Sequence, residues 1–287
     1  MSRSRSRLLR YRIDVLSVLV VVAALAAQLA ALLLAMPWFT VLPILVLMRW
    51  QHLVAHNHCH LPIFWSRPLN EVLGWAMFLS GGVPLEAYRV FHADTHHRYT
   101  HRDGDWTSPF AYQGARFPDR PVGLLHYVLT YSLLSLCHVV IELFTRPGSP
   151  ALRRFLISIA VVGAACAALI HHDPWRFLLF FYLPWCVVYF LAPLANWYQH
   201  HRCAFTDPYT SANINLSVLC RALGFNIGYH SAHHLKPTLH WSQLATYHWT
   251  RVAPRVPERY YWPIPLAKFR RRQTLATVRA EPSPRAK

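Results

Sequence analysis

The feature that most restricts this chain is the gathering of its apolar residues into long blocks. Asp14 to Met36 is almost uninterrupted Val, Ala and Leu, with Asp14 as its only charge. At about 1.5 Å per residue, roughly 20 residues cover the hydrocarbon core of a bilayer, so this block is long enough to span. Arg3, Arg5, Arg7, Arg10 and Arg12 precede it, and basic flanks hold an end in the cytoplasm. A cleaved signal peptide is the competing reading, but an ordinary signal core runs only about 7–15 residues. After a turn at Pro37-Trp38, Phe39 to Met48 returns through the bilayer and ends at Arg49 and Gln51, where a basic side chain can snorkel. Phe155 to Ile170 and Phe177 to Ala195 are two further blocks, joined by the polar turn His171-His172-Asp173-Pro174. Arg146, Arg153 and Arg154 assign the start of that pair to the cytoplasm.

Two apolar stretches fit less well. Val122 to Phe144 contains His126, His138 and Glu142; if it crossed, histidines after it would face the opposite side from those before. It is expected to be interfacial, as is Leu69 to Tyr88, broken by Gly81-Gly82. The expected fold is all-α integral membrane. It has four transmembrane helices (approximately 14–36, 39–55, 153–171 and 176–196), interfacial helices, and a cytoplasmic histidine-rich cap, with both termini inside. Residues 1–253 form the membrane domain. Residues 254–287 form a basic, proline-rich cytoplasmic tail, lying on headgroups or disordered.

Composition agrees. Of 287 residues, 54% are hydrophobic and 14% charged, against about 25% charged in soluble domains. The net charge of +17 lies along the flanks of apolar segments, which suits anionic lipid, and no groove-reading motif points to nucleic acid. The six cysteines form no CxxC pair.

The 19 histidines are clustered. His56 and His60 stand four apart at the end of the second span, a spacing that puts both imidazoles on one helical face, and His52 continues the stripe. His92, His96 and His97 form a second group, and His230, His233 and His234 a third. Asn196 and His200, again four apart, close the last span. One such pair is commonplace; three groups on one side of a membrane are not. Imidazole suits zinc, copper, iron and nickel alike. Some nine imidazoles are too many for one ion, and apart from Asp94 no carboxylate falls within a cluster. The spacing therefore implies two metals in a histidine cage and no particular element.

These groups, as His56-x3-His60, His92-x3-His96-His97 and His230-x2-His233-His234, resemble the three histidine boxes of the membrane fatty acid desaturase superfamily. The Asn196-x3-His200 pair is similar to the extra Asn and His of acyl-CoA desaturases, and Gly228 to Pro237 followed by Trp241 is also desaturase-like. The resemblance covers about His52 to His248. It departs in the three residues that separate His92 from the His96-His97 pair, where many acyl desaturases have two. The third box opens with His230 rather than Gln and no cytochrome b5 motif is present, so a front-end desaturase is not expected.

The resemblance implies two ferrous ions, O2 as co-substrate, and metal ligands His56, His60, His92, His96, His97, His200, His230, His233 and His234, with Asn196 acting through a water. It implies an acyl or lipid substrate in the bilayer and a separate electron donor of ferredoxin or cytochrome type, steered by the basic surface. Desaturation of an acyl chain leads; a hydroxylase or ketolase acting on a fatty acid, alkane or carotenoid is the alternative on the same scaffold. A non-enzymatic metal carrier is disfavoured because the spans lack polar residues to conduct an ion. Asp94, Asp103, Asp105 and Asp207 are candidates to orient ligand rings. His52, His101 and His201 are candidate extra ligands. His171 and His172 are expected on the far side, His126 and His138 on an amphipathic helix, and His240 and His248 at the surface or behind the ligands.

Overall fold

The computed structural model describes residues 8–100, 104–108, 121–204 and 207–262, and they are mostly helical. The first block becomes α1 (Val15–Leu33) and the second α2 (Val41–His60). The pair is antiparallel, because Pro37 opens a short turn between them. The chain before α1 pairs with the chain after α2: Arg10 N–H donates to Ile63 O at 2.9 Å, and Trp65 N–H to Leu8 O at 3.2 Å. Next come α3 (Arg67–Gly81) and α4 (Leu85–Arg89), the latter running directly into a π-helix, Val90–His97. The α3 helix stops at Gly82, whose φ of 76° is open chiefly to glycine; a Cβ there would also lie 2.6 Å from the Trp185 ring. Then follow α5 (Pro121–Phe144), α6 (Pro150–His172) and α7, a continuous helix over Pro174–His200 with a π segment at Leu178–Tyr182. A short α8 (His230–Leu235) carries the third histidine group. Strands β1 (Ile214–Asn215) and β2 (Tyr261–Trp262) pair in parallel.

Five helices are long and apolar enough to cross a membrane, one more than expected: α5 qualifies along with the four anticipated blocks. Leu19, Val22, Leu42, Val46, Val161 and Val187 are among the large apolar side chains these helices expose, as helices bathed in hydrocarbon do.

The packing has two ends. At one, Ala31, Leu32, Ile44, Met48, Phe177, Phe180 and Phe181 form a core, with Cys166 and Leu169 of α6 against it. At the other, Val21, Leu53, Val54, Ile63, Phe64 and Leu73 join Phe225 and Ile227. Between them Gln28, fully buried in α1, donates its amide to Ser80 O (3.1 Å) and Phe180 O (3.0 Å). A polar tie of this kind contributes about 0.6 kcal/mol within a bilayer. The α5 helix runs beside α7, Tyr127 against Trp197 and Ser132 and Ser135 against Tyr189. Its Val139 and Leu143 then pack on Ala87, Val90 and Leu152.

Residues 254–262, placed in the tail by sequence, are packed: Val256, Tyr260 and Tyr261 are buried with Ile214, Tyr229 and Leu244. The rest of that tail, 263–287, lies outside the described residues, as do His101 and Asp103.

Candidate metal centre

Adjacent residues on a helix point about 100° apart, so a His-His doublet can serve two neighbouring sites at once. Both doublets here do so. His56 and His60 from α2, His92 and His97 from the π-helix, and His233 from α8 form one group. His96 from the π-helix, His200 from the end of α7, and His230 and His234 from α8 form a second; within each group the nearest ring nitrogens lie within 4.8 Å of one another. His96-His97 and His233-His234 are each split between the groups.

The π-helix accounts for the three-residue spacer of the second box. Its i→i+5 hydrogen bonding brings residues five apart onto one face, and the Nε2 atoms of His92 and His97 are 3.2 Å apart. His96 turns to the other group, where its Nε2 is 3.2 Å from that of His200. His200 Nε2 is also 3.2 Å from His230 Nε2, and His230 Nε2 is 3.2 Å from His234 Nε2.

The third box is held by its approach. Phe225 and Asn226 have positive φ, 50° and 59°, and the turn delivers Gly228 against β1, where a Cβ would lie 2.0 Å from Asn215 O. Only glycine fits there. Asn215 N–H donates to Gly228 O at 2.8 Å, so β1 fixes the start of α8 two residues before His230.

Acceptors fix the rings. Asp105 Oδ2 is 3.2 Å from His96 Nδ1, and Ser211 O is 2.8 Å from His200 Nδ1. Asn57 Oδ1 is 3.3 Å from His56 Nδ1. A ring that donates from Nδ1 keeps its Nε2 lone pair for a metal. Burial holds His92, His97, His230, His233 and His234 well below the usual histidine range, and repulsion from neighbouring imidazoles adds to it. The rings are therefore neutral and ready to coordinate.

The donor set fits bound metal. The Nε2 atoms of His56, His60 and His233 are buried without a hydrogen-bond partner among the described residues, an arrangement that is costly unless something else satisfies them. Two imidazole nitrogens about 2.1 Å from one ion stand roughly 3.0–3.4 Å apart, which matches the 3.2 Å contacts.

Other sequence candidates fall elsewhere. Asn196 lines a small cavity together with His96 and His230, and its amide donates to Tyr127 Oη (2.7 Å). His52 lines the same cavity, 3.5 Å from Tyr88 Oη, and the His201 ring lies tilted against Trp197; neither joins a group. Of the aspartates, Asp105 orients a ring, whereas Asp94 faces a different cavity and Asp207 caps a turn at Tyr209. His171 and His172 end α6 and are exposed; His126 is exposed, and His138 stacks on Trp106.

His240 and His248, expected at the surface or behind the ligands, are both buried. His240 and Trp241 close on Asp14 Oδ1, each at 3.1 Å. His248 is 3.1 Å from Tyr261 Oη and packs on Tyr229, next to His230. Sequence reading missed the Asp14 contact; the signal was a carboxylate inside an apolar block, which demands a partner.

Against known families, the model for "Fatty acid desaturase" matches residues 34–266. No curated protein gives a match.

Proposed function

Because the chain belongs to the fatty acid desaturase family, we propose that it is an O2-dependent oxidase that desaturates an acyl chain or related lipid at a two-iron centre. The reading rests on one observation: three histidine boxes and His200, distant in sequence, converge as two adjacent groups of imidazoles. His56, His60, His92, His97 and His233 would hold one ion, and His96, His200, His230 and His234 the other, with Asn196 reaching the second through a water. Iron, when bound, supplies the O2 activation needed to take hydrogen from an unactivated C–H bond, chemistry that no side chain provides.

The protein's part is to place the chain and exclude water. The cavity of about 50 Å³ between the groups meets His56 and His92 of one and His96 and His230 of the other, and is also walled by Tyr88, Phe91, Tyr131 and Ala192. Those four residues and His52 also wall a second cavity of about 40 Å³ that continues toward Met77, Gly81 and Val188. The second cavity is mainly apolar, and its place next to the first suits a few methylenes of an acyl chain held close to the metal groups.

The metal centre and both termini are assigned to the cytoplasmic side, with four crossings. Support comes from the arginines before α1 and at the start of α6. The α5 helix fits as the non-crossing one: its Tyr127 meets Thr107 and Asn196 near the histidines, and its Leu143 meets Leu152 at the start of α6. Electrons come from a separate acidic donor of ferredoxin or cytochrome type.

The test is expression in a membrane of defined lipid composition, followed by mass spectrometry of whole lipids. Loss of two hydrogens from an acyl chain is the expected product. Gain of an oxygen atom would reassign the chain as a hydroxylase, and unchanged lipids in an iron-loaded, donor-supplied preparation would refute the proposal.

A further inference from the structure

A cavity of about 460 Å³ lies apart from the metal groups. The last turns of α2 separate the two: His56 and His60 face the metal groups, while His58 and Cys59 face this cavity. None of the nine box histidines lines it. Its size is that of a ligand pocket.

The lining has two characters. One wall is apolar, with Trp75, Leu85 and Ile157. The other carries five arginines: Arg10, Arg67, Arg89, Arg153 and Arg154. The glutamates are already engaged. Glu71 pairs with Arg67 at 3.1 Å, and Glu86 with Arg154 at 3.9 Å while accepting from Ser158 Oγ. Arg10 stacks over the Trp65 ring and, among the described residues, donates from its guanidinium only through Nε, to Phe64 O; Arg89 donates one terminal nitrogen to Cys59 O at 2.8 Å. Among the described residues, Arg10, Arg89 and Arg153 are thus left with a single further carboxylate in the lining, Asp94. Guanidinium donors in this excess match phosphate oxygens. The apolar wall and the exposed Trp65 set the cavity at the level where arginine and tryptophan meet headgroups.

We infer that this lateral cavity binds the phosphate of an anionic phospholipid, with the lipid's glycerol end against Trp75 and Ile157. It is a lipid site distinct from the cavities beside the metal groups, and it stands independently of the proposed reaction. A bound lipid would bridge the chain before α1, the α3–α4 hairpin and the start of α6.

The test titrates the full-length, detergent-purified chain with phosphatidylglycerol and counts bound lipid by native mass spectrometry. Phosphatidylcholine and, at constant ionic strength, inorganic phosphate serve as competitors. One retained phosphatidylglycerol is expected. Arg153→Gln should weaken it about tenfold, whereas Arg251→Gln, outside the cavity, should leave it unchanged. Glu71→Gln frees Arg67 and should tighten binding, a gain that misfolding cannot mimic. Equal weakening in both arginine variants, equal retention of phosphatidylcholine, or failure of Glu71→Gln to tighten would overturn the site. Displacement by inorganic phosphate at matching concentration would overturn the lipid assignment in favour of a soluble phosphate ester.

Discussion

Asp105→Asn should unload one metal and spare the other. In the native protein Asp105 Oδ2 stands 3.2 Å from His96 Nδ1, while Oδ1 accepts from the Thr107 N–H at 3.0 Å. Both side chains are buried. The isosteric amide keeps an oxygen for Thr107 and sets its NH2 group against a ring nitrogen that also donates. The ring relieves the conflict by moving its proton to Nε2, the atom that faces His200 at 3.2 Å, and that lone pair is lost to coordination. Removing a hydrogen-bond partner behind a metal ligand costs about 10–100-fold in affinity, or roughly 1.4–2.7 kcal/mol. His96 belongs only to the group with His200, His230 and His234. The assay is iron per chain by mass spectrometry of the purified protein after equilibration with graded chelator. On the proposed two-iron reading, wild type should release both ions at similar chelator levels. The variant should pass through a plateau near one ion, reached at about 10–100-fold less chelator. Simultaneous loss of both ions, or retention equal to wild type, would refute the assignment of Asp105 and the division of the histidines.

Other consequences are open to direct measurement. His233→Ala removes a donor whose Nε2 is buried and otherwise unsatisfied; iron content and turnover should both fall, and full iron occupancy would take His233 out of the coordination set. Gly228→Ala drives a Cβ into Asn215 O at 2.0 Å, so it should lower iron occupancy together with folded yield, whereas Gly163→Ala, with open space around it, should change neither. Burial holds His248 down to about 3, below its unfolded value of about 6.5. The unfolded chain therefore takes up a proton first, and stability contributed by neutral His248 is complete above about pH 6.5 and declines as the pH falls toward 3. Between pH 7 and pH 5 the loss is about 2 kcal/mol, so His248→Gln should flatten the acid limb of a stability profile measured by thermal unfolding.

The spans and the ligand types could be read in the sequence because each is a local pattern. Four apolar blocks gave four of the long helices, and i, i+4 spacing put His56 and His60 on one face, where the structure gathers them in one group. What escaped was long-range or depended on backbone register. Nothing in the residues around Val90 announces a π-helix, yet that register decides which of His92, His96 and His97 shares a site with which. Asp105 reads as part of a turn until Thr107 and His96 close around it. His240 reads as a surface residue because its partner, Asp14, lies 226 positions away. Polar residues within α5 argued for an interfacial helix, although its length and composition equally allow a crossing.

The contact between Asp14 and the His240-Trp241 corner changes what α1 is for. The family match begins only at residue 34, which invites treating everything upstream as a detachable anchor. Yet Tyr11 stacks on His240 at 3.8 Å, and the corner that Asp14 grips follows α8 by five residues. Cutting the chain before residue 34 would strip buried His240 and half-buried Trp241 of their acceptor and unclamp the segment that carries His230, His233 and His234. A truncated preparation would then read as a weak catalyst when its real fault was a missing hinge pin.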